Sequence, residues 1–252
     1  MTDDDRVAAT TTSHSRQPCA DPCRTSVVTD SVSRRPRQNE RVTLDLAALL
    51  APPTATAALA LETLERWSSP ALVNHGIRSW AWARLRAETL GLHHDPELLF
   101  VAAMLHDLGV TDAFDAHEIA FESAGGAAGW AFAAGAGWPP QRRERVREVI
   151  ERHMWRSVEP ALDPEGHLLE VATSLDVSGV APELWDAAAL RAVTARHPRL
   201  DFTDEFAGCI RAQARRKPQT AAARLDASER IAAGGRVWAG ILDEDARGHA
   251  VH

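Results

Sequence analysis

Residues 95–110 read DPELLFVAAMLHDLGV, and the rest of the chain can be read outward from this stretch. Asp95 followed by Pro96 is an N-cap with proline at the first helical position. From Leu98 to Leu105 the helix it opens is apolar on every side, as in a helix at the centre of a domain. The run ends in His106 and Asp107. A carboxylate beside an imidazole is costly in an apolar interior unless a cation, an arginine or a donor cluster meets it. Successive helical residues point about 100° apart, so both side chains reach one partner only at the helix end. Gly109 is expected to terminate the helix near Leu108.

The same punctuation recurs on either side. Thr54 or Thr56 caps a helix to about Trp67; Pro70 opens another that ends at Gly91. A fourth helix is expected over roughly 116–134, where Gly125-Gly126 marks either a close approach or a kink. Pro139-Pro140 opens a fifth, ending near His153, and Asp163-Pro164 a sixth, to about Val177. Further helices are expected at 182–196, 203–216 and about 226–243, the last behind the capping-box pattern Asp226-Ala-Ser-Glu229. No alternation typical of strands and no internal repeat is present, so the class is all-α. Residues 1–40 are polar and aperiodic and are expected to be a disordered leader to one helical domain over 41–245.

Composition narrows the classes. Of 252 residues 45% are apolar and 25% charged, as in an ordinary soluble domain. The net charge of −7 gives no support for nucleic-acid or anionic-membrane partners. Lys217 is the only lysine. Cys19, Cys23 and Cys209 are too few for a disulfide framework, and the first two lack partner ligands for zinc. Arg34-Arg35 is not followed by an apolar stretch, and no run reaches the roughly 20 apolar residues of a membrane span. A cytoplasmic protein is expected, with apolar helical surfaces that allow a homodimer.

Three polar side chains fall on apolar helical faces. His75 shares a face with Leu72, Ser79 and Trp82; Asp176 stacks over Ala172 and Leu169; His153 continues the stripe Val146, Val149, Ile150. Arg78 is one turn from His75 and could pair Asp176 or Asp107 in a metal-free Arg-Asp-His network. The competing reading takes His75, His106, Asp107 and Asp176 as two nitrogens and two carboxylates around a borderline divalent ion: Zn first, with Fe, Mn or Co acceptable. His153 is then the candidate for proton transfer, with Glu122 and Arg78 as further catalytic candidates. Of eight tryptophans, Trp80, Trp82, Trp130 and Trp155 lie near these positions in sequence and are expected mostly in the core.

The order His75, His106-Asp107, Asp176 resembles the HD superfamily of helical metal-dependent hydrolases, with LVNHGIRSWAWA (72–83) and AAMLHDLGV (102–110) similar to its first two motifs. IAFESAGG (119–126), VIERHMW (149–155), VATSLDVSGV (171–180) and HPRLDFTDEFAGCIRAQARRKP (197–218) are similar to its cyanamide hydratase branch. That resemblance implies zinc and the addition of water to the nitrile carbon of cyanamide, giving urea. Three functions follow: a hydratase acting on a small nitrile, a phosphohydrolase acting on a nucleotide, and a non-catalytic scaffold that binds a ligand or partner protein. Cationic groups lining the pocket would favour the second, and the absence of a stoichiometric metal the third.

Overall fold

The computed structural model describes residues 44–248, with side chains through residue 243. The expected leader, with Cys19 and Cys23, lies outside the described residues. Among the described residues there are helices and no strand: α1 (Leu46–Leu50), α2 (Ala55–Trp67), α3 (Pro70–Leu90), α4 (Pro96–Leu105), α5 (Phe121–Gly135), α6 (Pro140–Arg152), α7 (Pro164–Ser178), α8 (Ala187–Arg196), α9 (Phe202–Arg216), α10 (Ala221–Ala227) and α11 (Arg230–Gly248). None is long and apolar enough to cross a membrane.

Helix α4 is the hub. Asp95 accepts a hydrogen bond from the Leu98 amide, Pro96 takes the first turn, and every residue from Leu98 to Leu105 is buried. α2, α3, α5, α6 and α7 all pack on it. Burying a leucine or phenylalanine fully is worth about 1.5–3 kcal/mol, so this short helix anchors the bundle through its sequence of Leu, Phe, Val and Met.

Its C-terminus departs from expectation. The helix stops at Leu105, not near Leu108; Asp107 leaves helical geometry (φ −101°, ψ 8°), and Leu108–Val110 form a tight 3₁₀ turn. Gly109 is not a left-handed terminator. A Cβ there would lie 2.0 Å from the Phe121 carbonyl oxygen, and one on Gly125 would lie 2.7 Å from that of His106. The two glycines let α5 press onto the turn that carries His106 and Asp107. Close approach, not a kink, explains the first glycine of the Gly125-Gly126 pair.

Other boundaries shift for identifiable reasons. α5 begins five residues later than expected, because Asp115 is tied to Gln213, Arg216 and Lys217 at the end of α9 and holds the preceding loop there. The helix expected over 182–196 breaks at Trp185, whose buried indole donates to the Trp82 carbonyl; Asp186 then caps α8. The capping box at Asp226 does not form. The strong helix formers Ala221–Ala223 start α10 upstream and carry it past Asp226, and Glu229 (φ 54°) turns the chain into α11. α1, which the sequence pattern did not reveal, is capped by Asp45.

Candidate metal centre

Three helices bring the polar residues together. His75 comes from the middle of α3, His106 and Asp107 from the end of α4, and Asp176 from the last turn of α7. All four are at most 4% exposed. The termination of α4 matters here, since a continued helix would splay His106 from Asp107. As built, His106 Nε2 lies 3.2 Å from Asp107 Oδ2, and His75 Nε2 lies 3.1 Å from His106 Nε2 and 3.4 Å from Asp107 Oδ2.

The tautomers follow from the far side of each ring. His75 Nδ1 meets the Asp176 carboxylate at 2.7 Å, and His106 Nδ1 meets the Ala103 carbonyl at 2.8 Å. Both partners only accept, so both Nδ1 atoms carry hydrogen, and in the neutral rings both Nε2 atoms present lone pairs. Two lone pairs and a carboxylate therefore face one another, the ligand atoms of His75, His106 and Asp107 all lying within 4.8 Å. Neither Asp107 oxygen has a well-formed hydrogen bond; burial pushes its carboxyl up, and the His106 and His75 rings beside it hold it well below the usual carboxylate range. Burial pulls the His75 pKa down, but the Asp107 and Asp176 carboxylates outweigh it and raise it above the ordinary imidazole value. A proton on His75 is the cation that the cluster takes up on its own. A divalent ion fits the same place: the donor set is right for Zn, Fe, Mn or Co, and the orphaned carboxylate gains a partner.

Asp176 does not share this convergence. Its Oδ1 accepts from Arg78 Nε (2.9 Å), Trp82 Nε1 (3.1 Å) and Arg199 Nη1 (3.1 Å), and its Oδ2 from His75 Nδ1 and Arg78 Nη2 (both 2.7 Å). Burial pushes its carboxyl up, yet Arg78 and Arg199 hold it well below the usual carboxylate range. The expected four-ligand shell is thus a three-residue cluster with Asp176 behind it, orienting the His75 ring. Phe202 stacks on that ring at 4.4 Å between centroids. The Arg-Asp-His network and the cation cluster, read from sequence as alternatives, coexist.

The cluster floors a cavity of about 340 Å³ whose walls include His153, Met154, Val177 and Phe206. In sequence the chain is similar to cyanamide hydratase DDI2 of Saccharomyces cerevisiae, at 28% identity over 176 residues, which is 68% of this chain and 78% of the relative. Cyanamide hydratase DDI3 of the same yeast matches with the same figures. No protein-family profile matches the chain.

Of the three further catalytic candidates only His153 reaches the cavity, and Trp155, expected in the core, is exposed in the same lining. The His153 Nδ1–H donates to the Ile150 carbonyl, and its Nε2 lies 3.8 Å from Asp107 Oδ1. Burial, reinforced by His106, lowers its pKa to about 3. Titration near neutral pH, the reason for favouring it, is absent; a neutral ring with its lone pair toward Asp107 is what remains. Arg78 is fully buried, held by Asp176 and by the carbonyls of His197 and Pro198 (both 3.1 Å), and positions rather than touches a substrate. Glu122 does not line the cavity; it sits half-buried in the first turn of α5, where burial pushes its pKa up. Sequence reasoning missed Arg199, whose loop position carries no periodicity, and Trp82, read only as core bulk. It also missed Arg156, Arg224 and Arg230 in the cavity lining, cationic groups that speak for the phosphohydrolase where the names of the yeast relatives speak for the hydratase.

Proposed function

We propose that this chain is a metal-dependent hydratase of the HD type that adds water across the nitrile of cyanamide or a related small nitrile. The observation that carries the reading is the buried, unpartnered Asp107 carboxylate facing two imidazole lone pairs at the floor of a cavity. The names of the yeast relatives supply the reaction. In it a C–O bond forms at the nitrile carbon as one C≡N π bond is converted to N–H, the O–H proton of the isourea so formed passes to nitrogen as C=O replaces C=N, and cyanamide plus water gives urea with no leaving group.

His75, His106 and Asp107 would hold the ion, which when bound supplies Lewis acidity and lowers the pKa of water toward about 7. Asp176, gripped by Arg78 and Arg199, keeps Nδ1–H of His75 in place and so aims Nε2 at the centre. His153 Nε2 offers a hydrogen-bond acceptor that orients the attacking water. Phe206, Val177 and Met154 supply apolar walls that exclude bulk water and strengthen these interactions.

Metal analysis of the purified chain, followed by a cyanamide-to-urea assay, tests this directly. About one transition-metal ion per chain is expected, with activity lost on chelation and restored by zinc. A chain that purifies without such metal, and that leaves cyanamide untouched both before and after metal addition, would sink the reading and favour the binding scaffold. Release of phosphate from nucleotides in place of urea formation would favour the phosphohydrolase.

A further inference from the structure

The cavity is larger than cyanamide needs. At about 340 Å³ it lies within the range of roughly 300–1,000 Å³ that accommodates drug-sized ligands. A water claims about 30 Å³ of liquid, so a molecule of three non-hydrogen atoms leaves most of the space empty.

The wall away from the centre carries three arginines from three separate elements: Arg156 in the loop after α6, Arg224 within α10 and Arg230 at the start of α11. None of their guanidinium groups makes a hydrogen bond or ion pair among the described residues. Some arginines of this chain find carboxylates, Arg142 with Asp95 and Glu97 and Arg145 with Asp163 and Glu165, while Arg211 and Arg215 are exposed without one among the described residues; Arg156, Arg224 and Arg230 are exposed in the same way but share the lining of one cavity. Glu122 and Glu170 are felt by Arg224 and Arg230 only through space, and neither lines the cavity. Asp107 is the sole carboxylate in the lining. In a chain of net charge −7, three unpaired guanidinium groups around one cavity form a local cationic field. Guanidinium is always charged, and its donor fork matches a carboxylate or phosphate.

We propose that Arg156, Arg224 and Arg230 form an anion subsite, and that the substrate is a nitrile bearing an oxyanion group several bonds from the reacting carbon. The proposal rests on the hydratase reading and names its substrate class. The oxyanion is held at the arginine wall while the nitrile carbon lies over His75, His106 and Asp107. Water then adds as for cyanamide: the C–O bond forms while one nitrile π bond becomes an N–H bond, the resulting imidic acid passes its O–H proton to nitrogen as C=O replaces C=N, and the carboxamide leaves with its oxyanion unchanged. Cyanamide, which lacks that group, engages only the floor.

The test compares hydration of 4-cyanobutanoate, 3-cyanopropyl phosphate, neutral pentanenitrile and cyanamide by the metal-loaded full chain and by an Arg224→Gln/Arg230→Gln variant. At least one anionic nitrile is expected to have a KM at least tenfold below that of pentanenitrile. The double variant should lose that preference while turning over cyanamide within twofold of the parent. Which anion is favoured tells carboxylate from phosphate. Calorimetric titration of glutarate and inorganic phosphate into chelator-treated protein gives a second readout that needs no metal: saturable binding in the parent, lost in the variant. Equal KM values for charged and neutral nitriles, or anion binding unchanged by the double substitution, would overturn the subsite even if cyanamide is hydrated. Anion binding that the variant loses, in a chain that hydrates neither cyanamide nor any nitrile, would uphold the anion subsite and overturn the hydratase reading beneath it. Inorganic phosphate released from 3-cyanopropyl phosphate would likewise overturn the nitrile assignment.

Discussion

Two buried carboxylates flank the His75 ring, Asp176 on its Nδ1 side and Asp107 on its Nε2 side. Each is at most 4% exposed, and each lies against imidazole. Asp176 accepts five hydrogen bonds from four residues, whereas Asp107 accepts none that is well formed. A buried charge that is fully paired belongs to the scaffold. One left bare in the same environment needs a ligand, because leaving it unmet is among the costliest things a folded chain can do. The difference assigns the two aspartates opposite tasks despite their equal burial: one fixes the ring, the other waits with the ring for a cation.

The comparison breaks first at Asp107. Asp107→Asn removes a negative ligand but no hydrogen bond, so it should abolish stoichiometric metal and lower kcat/KM about a thousandfold, the several kcal/mol that a metal supplies to charge stabilisation. In chelator the variant should melt at most slightly below the parent, since it loses the attraction between the charge and the His75 and His106 rings but no arginine pair. A melting temperature several degrees lower in chelator would make Asp107 a structural group like Asp176, and the contrast would fail.

The opposite result is expected on the other side of the ring. Arg78→Met leaves Asp176 with its charge and without its principal partner, and breaking a buried pair in this way costs about 3–5 kcal/mol, readable from urea unfolding in chelator. With His75 less firmly aimed, metal affinity should fall roughly 10–100-fold. Loss of metal without loss of chelator-state stability would place Asp176 among the ligands.

These two aspartates also mark how far the sequence could be read. His75, His106, Asp107 and Asp176 stand out because each interrupts an apolar helical face, and periodicity finds such interruptions. What periodicity cannot supply is the orientation of Asp176: Arg199 lies in the loop between α8 and α9, and Trp82 reads as core until its indole N–H is seen to donate. The cavity arginines were invisible for the same reason, since Arg156, Arg224 and Arg230 share no helix and meet only in three dimensions. Helix starts marked by Asp-Pro, Pro-Pro or Ser-Pro were legible to within a residue or so because the cap chemistry is local. The end of α4 and the starts of α8 and α10 were not, because Phe121, Trp185 and the Lys217–Thr220 turn impose them from outside the helix.

A third buried carboxylate, whose arginine partners are partly exposed, sharpens the comparison with the smallest effect. Asp163 caps α7 through the Gly166 amide and is paired with Arg145 and Arg152. Burial pushes its carboxyl up, but the two arginines and the amide lower it below the ordinary value. A carboxylate whose folded pKa is depressed contributes stability at neutral pH and loses it as pH falls through the folded value, the change beginning below about pH 4, the value in the unfolded chain. Asp163→Asn keeps the cap while removing the charge, so the parent should exceed it by about 1–2 kcal/mol at pH 7, the arginines being partly exposed. Urea midpoints measured from pH 7 to pH 3 should converge at the acid end. A difference that persists unchanged to pH 3 would mean that Asp163 acts through cap geometry, and that the arginine pairing of a buried carboxylate is decisive only where the arginines are buried too, as Arg78 and Arg199 are beside Asp176.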